Sequence, residues 1–302
     1  MKEPSCRMFT QSVLLLVLVL MAAAIVHADE SPVTVGEAPE NEGGMISESV
    51  AGMVNRPGEW RIGVALDYGF VERSAERTRL LGSTVDVAYG LVDNLTLEGR
   101  AGASVSQTTT LAADESGESQ VGDTDYNNGL SDLAAGLSYQ IFDEGSRRPA
   151  VTLHGEVMPP TGTRREAEAG IGFDYWRYSA GASALRTYDY INQFVRLDVE
   201  VPHRSTAASD RTISGTRYEV SSGTSFSVSD RLSLNARISG TYQAEQAVDG
   251  DDVDGTDSES YNLALGTTRS WNRDTSITTM ASFDMTAPHA AGIMVRIDFT
   301  GD

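Results

Sequence analysis

The chain has 302 residues and carries 43 Asp and Glu against 23 Lys and Arg, a formal net charge of −20. That sign argues against a nucleic-acid partner, whose phosphates demand a basic surface; it fits a salty habitat, a GC-rich genome or an attraction for cations. The only cysteine, Cys6, lies ahead of the first apolar run, so the chain beyond it has no disulfide and no thiol chemistry.

Lys2 and Arg7, an apolar stretch from Val13 to Val26, and the small-residue site Val26-His27-Ala28 read as a signal peptide over 1–28, cleaved near Ala28. The apolar stretch is short for a spanning helix, and no later segment suits one. A membrane crossing must therefore use strands. Residues 29–57 form an acidic, periplasmic lead-in with Gly and Pro. Ile46, Val50, Met53 and Val54 share one face of a short helix that Pro57 would stop. This segment is either a plug or a disordered tail.

From Trp60 the pattern has period two. Trp60, Ile62, Val64, Leu66, Tyr68 and Phe70 share one face, with Arg61, Gly63, Ala65, Asp67 and Gly69 on the other. The spacing predicts strands over 59–70, 81–91, 95–106, 130–142, 150–158, 173–185, 191–201, 217–228, 232–242, 260–271, 275–285 and 290–299. Tight turns at Val92-Asp93-Asn94, Ser229-Asp230-Arg231 and Asn272-Arg273-Asp274 alternate with longer polar connections at 71–80, 107–128, 159–172, 202–216, 243–259 and 286–289. Short turns on one side, long loops on the other and about twelve strands, an even number, describe an outer-membrane barrel.

The expected fold is therefore all-β: one transmembrane antiparallel barrel over 58–302 in the outer membrane of a Gram-negative bacterium, with short periplasmic turns and long external loops. Aromatics fall at both predicted rims, as headgroup-level girdles require: Trp60, Tyr89, Tyr139, Phe226, Trp271 and Phe299 on one side, Tyr68, Phe70, Trp176, Tyr178, Tyr218, Tyr242 and Tyr261 on the other. Arg269 falls on the lipid side beside Trp271 and must snorkel.

The run Gly129-Leu130-Ser131-Asp132-Leu133, then Gly136-Leu137-Ser138-Tyr139, Pro149 and Pro159-Pro160-Thr161-Gly162, resembles the outer-membrane barrel family named for the meta pathway of phenol degradation. Ser131 stands where that family has Gly. Val85-Asp86-Val87-Ala88-Tyr89-Gly90-Leu91 followed by Asn94-Leu95 matches its strand-turn-strand, so the resemblance covers about 59–165. It implies a transporter or channel for hydrophobic or aromatic compounds and supplies no catalytic or binding residues. Gly292, Val295, Ile297 and Phe299 also look like the C-terminal signal read by the barrel-assembly machinery, although the chain runs on through Thr300-Gly301-Asp302.

Function would sit on the inward face. Alternation points Arg61, Asp67, Glu98, Arg100, Asp132, His154, Glu156, Arg177, Arg196, Asp198, Glu200, Glu219, Arg237, Asp284, Arg296 and Asp298 into the lumen as pore-lining candidates. Buried charges must be paired or wet, which leaves a lumen filled by ion pairs or a narrow mixed-charge pore. The expected function is passive uptake of small, hydrophobic or aromatic molecules, with a filled structural or surface-interaction barrel as the alternative. A third reading, a lipid hydrolase, rests on His203-Arg204-Ser205, which lacks an orienting Asn on the following strand. Asp249-Gly250-Asp251-Asp252-Val253-Asp254-Gly255 fails the EF-hand pattern, because Gly250 and Tyr261 stand where the first and closing ligands belong. No cofactor, metal site or catalytic group is expected. The expected partners are outer-membrane lipid, lipopolysaccharide and the small solute itself.

Overall fold

A computed structural model describes residues 54–73, 76–113, 119–162, 175–203, 212–248, 251–286 and 290–302. The expected signal peptide and most of the acidic lead-in lie outside these residues. The elements are all strands: β1 (Trp60–Arg73), β2 (Glu76–Val92), β3 (Leu95–Ala113), β4 (Ser119–Leu130), β5 (Ala134–Phe142), β6 (Ala150–Met158), β7 (Arg177–Tyr188), β8 (Ile191–Pro202), β9 (Thr212–Ile213), β10 (Arg217–Ser229), β11 (Leu232–Gln243), β12 (Ala247–Val248), β13 (Asp251–Asp252), β14 (Ser258–Ser270), β15 (Thr275–Asp284) and β16 (Ala290–Gly301).

Each long strand pairs antiparallel with the next, and β16 returns to β1 from Trp60↔Gly301 to Val71↔Ala290, which closes the barrel. β4 and β5 together make one stave, since β3 pairs with β5 at its start and with β4 further along. The wall therefore has twelve staves, while β9, β12 and β13 form a separate small sheet. Pairing of β16 with β1 removes the open sheet edge that a strand-built membrane crossing cannot leave in lipid.

Alternation sets the two faces. Val64, Leu66, Tyr68 and Phe70 of β1 are exposed outward, whereas Arg61 and Ala65 between them are buried. Val85, Val87 and Tyr89 on β2, and Ile293, Val295 and Phe299 on β16, continue the apolar outer surface. Tyr218 stacks on Tyr242 at 6.2 Å and Trp176 on Tyr178 at 6.5 Å at the rim opposite the tight turns. Arg269 points outward at the other rim, within reach of headgroups. Two of the tight turns place Asn94 (φ 65°) and Asp189 (φ 39°) in the left-handed region that short polar side chains tolerate.

The structure departs from the sequence reading on one flank. The expected external loops at 71–80 and 107–128 are largely strand: β2 has 17 residues and β3 has 19. A crossing needs only about 9–11 residues, so these strands continue past the hydrocarbon band. Beyond the lipid neither face is apolar and the alternation that marks a strand disappears, so Gln107-Thr108-Thr109-Thr110 reads as polar loop while pairing as sheet. The expected strand 130–142 is likewise interrupted at 131–133.

Candidate functional site

The inward face encloses a cavity of about 630 Å³. Every pore-lining candidate in the expected set except Asp284 and Asp298 lines it, and Asp86 and Arg217 join them. Asp284 instead ends β15, where its Oδ1 accepts the Thr286 N–H at 2.8 Å and hydroxyl at 2.6 Å; alternation gave its face but not the turn that takes up its carboxylate. Asp298 is 4% exposed beneath Arg296. Asp86 and Arg217 were legible, since Asp86 alternates with the outward Val85 and Val87, and Arg217 shares parity with Glu219. The same parity puts Phe194 beside Arg196 in the lining.

Seven arginines face eight carboxylates across this cavity. The lining is thus close to charge-balanced, and the chain's large acidic excess resides elsewhere. Some of these charges pair along their own strand or with the adjacent one, and others reach across an intervening strand. Arg296 on β16 donates from Nη1 and Nη2 to the two oxygens of Asp86 on β2, both at 2.7 Å, and from Nε to Asp298 at 2.8 Å. Between them lies β1, and its residue in register with both Asp298 and Asp86 is Gly63. A Cβ at Gly63 would collide with the Arg296 guanidinium, so the missing side chain is what lets the pair cross.

The device repeats around the barrel. His154 on β6 and Asp198 on β8 flank Gly181 on β7, with His154 Nε2 2.6 Å from Asp198 Oδ1. The same Nε2 lies 3.1 Å from Arg196 Nη2. Arg196 completes the group, with Nε 2.5 Å and Nη2 2.8 Å from the Asp198 oxygens. Gly136 on β5 lies between Glu98 and Glu156, and Arg100 reaches over this strand to both Glu156 oxygens at 2.9 and 3.0 Å. Gly223 on β10 lies under the Phe194 ring. Long side chains on alternate strands thus lie flat across glycines.

Towards the tight-turn end the inward face carries buried hydroxyls. Thr96, Thr152, Thr268, Thr278 and Ser225 are almost wholly buried there, and Ser221 is buried further out, in the cavity lining. Asn235 Nδ2 donates to Thr268 Oγ1 at 2.8 Å, and Thr268 and Thr278 share a 2.7 Å hydroxyl bond. Ala150, Leu185 and Phe194 form the apolar part of this floor. The last described residues of the lead-in join it: Asn55 is 7% exposed and its N–H donates to Thr96 Oγ1 at 2.8 Å.

The sequence signature around 129–162 has a physical role. Asp132, in the break between β4 and β5, accepts the Gly162 N–H at 2.8 Å, and Thr161 Oγ1 accepts the Leu133 N–H at 2.8 Å. The other Asp132 oxygen takes Arg177 at 3.4 Å, and Arg177 also donates to Glu200 at 2.9 Å. The motif therefore pins the connection after β6 to the broken stave and aims Arg177 into the cavity. At the external end Tyr175 is buried, its oxygen accepts the Ser214 N–H at 3.1 Å, and burial raises its hydroxyl pKa above the ordinary value.

His203 stacks edge-on against Tyr178 at 6.3 Å, and Ser205, the other half of the hydrolase pair, lies outside the described residues. Among the described residues no group of three or more His, Cys, Asp or Glu could hold a metal ion.

The sequence profile described as putative MetA-pathway of phenol degradation matches residues 51–295. The COG4313 outer membrane channel from Pseudomonas putida F1 superposes with a TM-score of 0.67 at 14% identity, over 89% of this chain and all of that one (100%). The CymD monoaromatic hydrocarbon channel superposes at 0.43 with 12% identity, over 89% of this chain and 94% of that one. The KdgM porin in complex with disordered oligogalacturonate superposes at 0.45 with 7% identity, over 78% and 98%. No curated protein matches the sequence. The first of these likenesses establishes an outer-membrane barrel fold.

Proposed function

Because the chain belongs to the family described as putative MetA-pathway of phenol degradation, we propose that it is an outer-membrane channel for passive entry of small aromatic or other hydrophobic molecules. The observation that carries the reading is the charge-balanced cavity of about 630 Å³ inside a closed wall. Such a volume suits one small solute. Opposed Arg and carboxylate side chains, six of the seven arginines paired, leave little net field, so the lining as a whole neither concentrates nor excludes ions strongly. A neutral phenol with one hydroxyl meets hydrogen-bonding groups in this cavity.

The test is phenol entry into vesicles with lipopolysaccharide in the outer leaflet, with and without the folded protein. Faster entry with the protein, saturating at high phenol, supports the reading. Equal rates end it. A second reading, a filled barrel with a structural or surface role, draws on the buried hydroxyl floor and the Asn55–Thr96 bond. It predicts equal rates together with full folding.

A further inference from the structure

Six of the seven lumenal arginines have a carboxylate within salt-bridge distance; among the described residues Arg61 has none. Arg61 is 7% exposed, lines the cavity, and its Nε has no hydrogen-bond partner. Register makes this notable. Arg61 stands opposite Ala88 on β2, and Ala88 opposite Glu98 on β3. This repeats the arrangement by which other arginines cross a small residue to an acid. Glu98 nevertheless takes the Ser138 hydroxyl, at 2.7 Å, and not the guanidinium. Arginine cannot shed its proton, and an unpaired buried charge is costly. A site of this kind calls for an anion that arrives from outside the described lining.

We propose that Arg61 is the carboxylate-binding residue of the lumen, taking a small monocarboxylate on its guanidinium fork. The planar fork matches a carboxylate with two parallel hydrogen bonds. Asp298, two positions along β16 from the Arg61 partner Thr300, keeps a buried Oδ2 without a partner, and Asp86 lies two positions from Ala88. These negative neighbours disfavour a dianion such as phosphate and leave a singly charged group as the fitting ligand. The inference rests on the channel reading only in bringing a free solute to the site through the lumen. The same chemistry has a second source within the chain. Residues 29–53 hold six carboxylates and no basic residue, and they precede Asn55, which is bonded to Thr96 in the lumen floor.

The experiment is calorimetric titration of benzoate into the folded chain from residue 29 in detergent micelles, beside a chain lacking 29–53, with benzamide as the neutral probe. Folding of every form is checked by its gel mobility with and without boiling. The site predicts benzoate binding at least about tenfold tighter than benzamide, and a loss of about tenfold in Arg61→Met, because a charge-assisted fork is removed. Arg61→Lys, which keeps the charge without the fork, should bind between the two and decides the matter if Arg61→Met does not fold. Binding by the longer chain identifies a free solute as the source. Binding only after removal of 29–53 identifies the chain's own carboxylates as the occupant. No benzoate binding in either form, equal binding of benzamide, or an affinity untouched in both Arg61 variants overturns the proposal. Binding is read without any current, so a barrel that fails to conduct leaves this test intact, and a conducting barrel that ignores benzoate refutes the site alone.

Discussion

Replacing Gly63 by alanine puts a methyl group where the Arg296 guanidinium now lies, 2.6 Å from its Cζ and 2.8 Å from Asp86 Oδ1. Both obstacles are the ends of flexible side chains, so β1 keeps its path and Arg296 swings away. The two 2.7 Å bonds to Asp86 are lost, while Asp298 at 2.8 Å stays within reach. Hydrogen bonds to charged groups contribute about 1.5–3 kcal/mol each when buried. The Asp86 side chain retains 21% exposure, so lumenal water recovers part of the loss. A net destabilisation of about 2 kcal/mol remains. For a barrel of this size that lowers the unfolding midpoint by about 4–8 °C. The readout is the temperature at which the folded band disappears on a gel. Asp86→Asn removes the same pair from its other side, so Gly63→Ala combined with Asp86→Asn should cost little more than the larger single change. Strictly additive losses, or a Gly63→Ala barrel that melts with the parent, would refute the role given to this glycine.

Gly181→Ala should be harsher than Gly63→Ala, because the new methyl meets the Leu197 carbonyl oxygen as well as the His154 ring and backbone cannot swing aside; a refolding yield equal to that of Gly63→Ala would count against this. Asp132→Ala removes the acceptor of the Gly162 N–H and one partner of Arg177. It should cost about 2 kcal/mol and speed proteolytic cutting near Pro159–Gly162, and unchanged cutting would contradict the pinning. Leu66→Arg, at an outward position 56% exposed on β1, should destabilise the barrel in lipid vesicles by about 2–4 kcal/mol, whereas Arg269→Leu at the rim should change it by about 1 kcal/mol or less. Equal effects would misplace the lipid belt. Arg100→Glu leaves Glu156 facing a like charge, and the reversal potential under a salt gradient should move towards cation selectivity; an anion shift would exclude Arg100 from the conducting path.

Much of this was legible because a strand in lipid writes its two faces into alternate residues. Val64, Leu66 and Tyr68 against Arg61 and Ala65 fix the register of β1, and the same parity carries Arg296 and Asp298 inward on β16. What alternation cannot carry is pairing at a distance. That Arg296 reaches Asp86 rather than a neighbour depends on which strands are two apart and on a glycine between them, and both come only from closure of the barrel. The extensions of β2, β3 and β4 were lost for another reason: outside the lipid both faces of a strand are polar, so 107–128 resembles a loop. Asp284 shows the limit of parity at a strand end, where the Thr286 turn captures a side chain that alternation alone sends inward. The stretch 129–162 was recognisable as a pattern before its meaning was visible, since Asp132 and Gly162 meet only when β6 folds back along β5.

Current across a planar bilayer holding the folded chain from residue 29 tests the channel account most directly. A channel with a charge-balanced cavity predicts a small, steady conductance with weak ion selectivity, reduced when phenol is added. A protein that is folded by its gel mobility yet passes no current above the bare bilayer, with residues 29–53 present or removed, would contradict it.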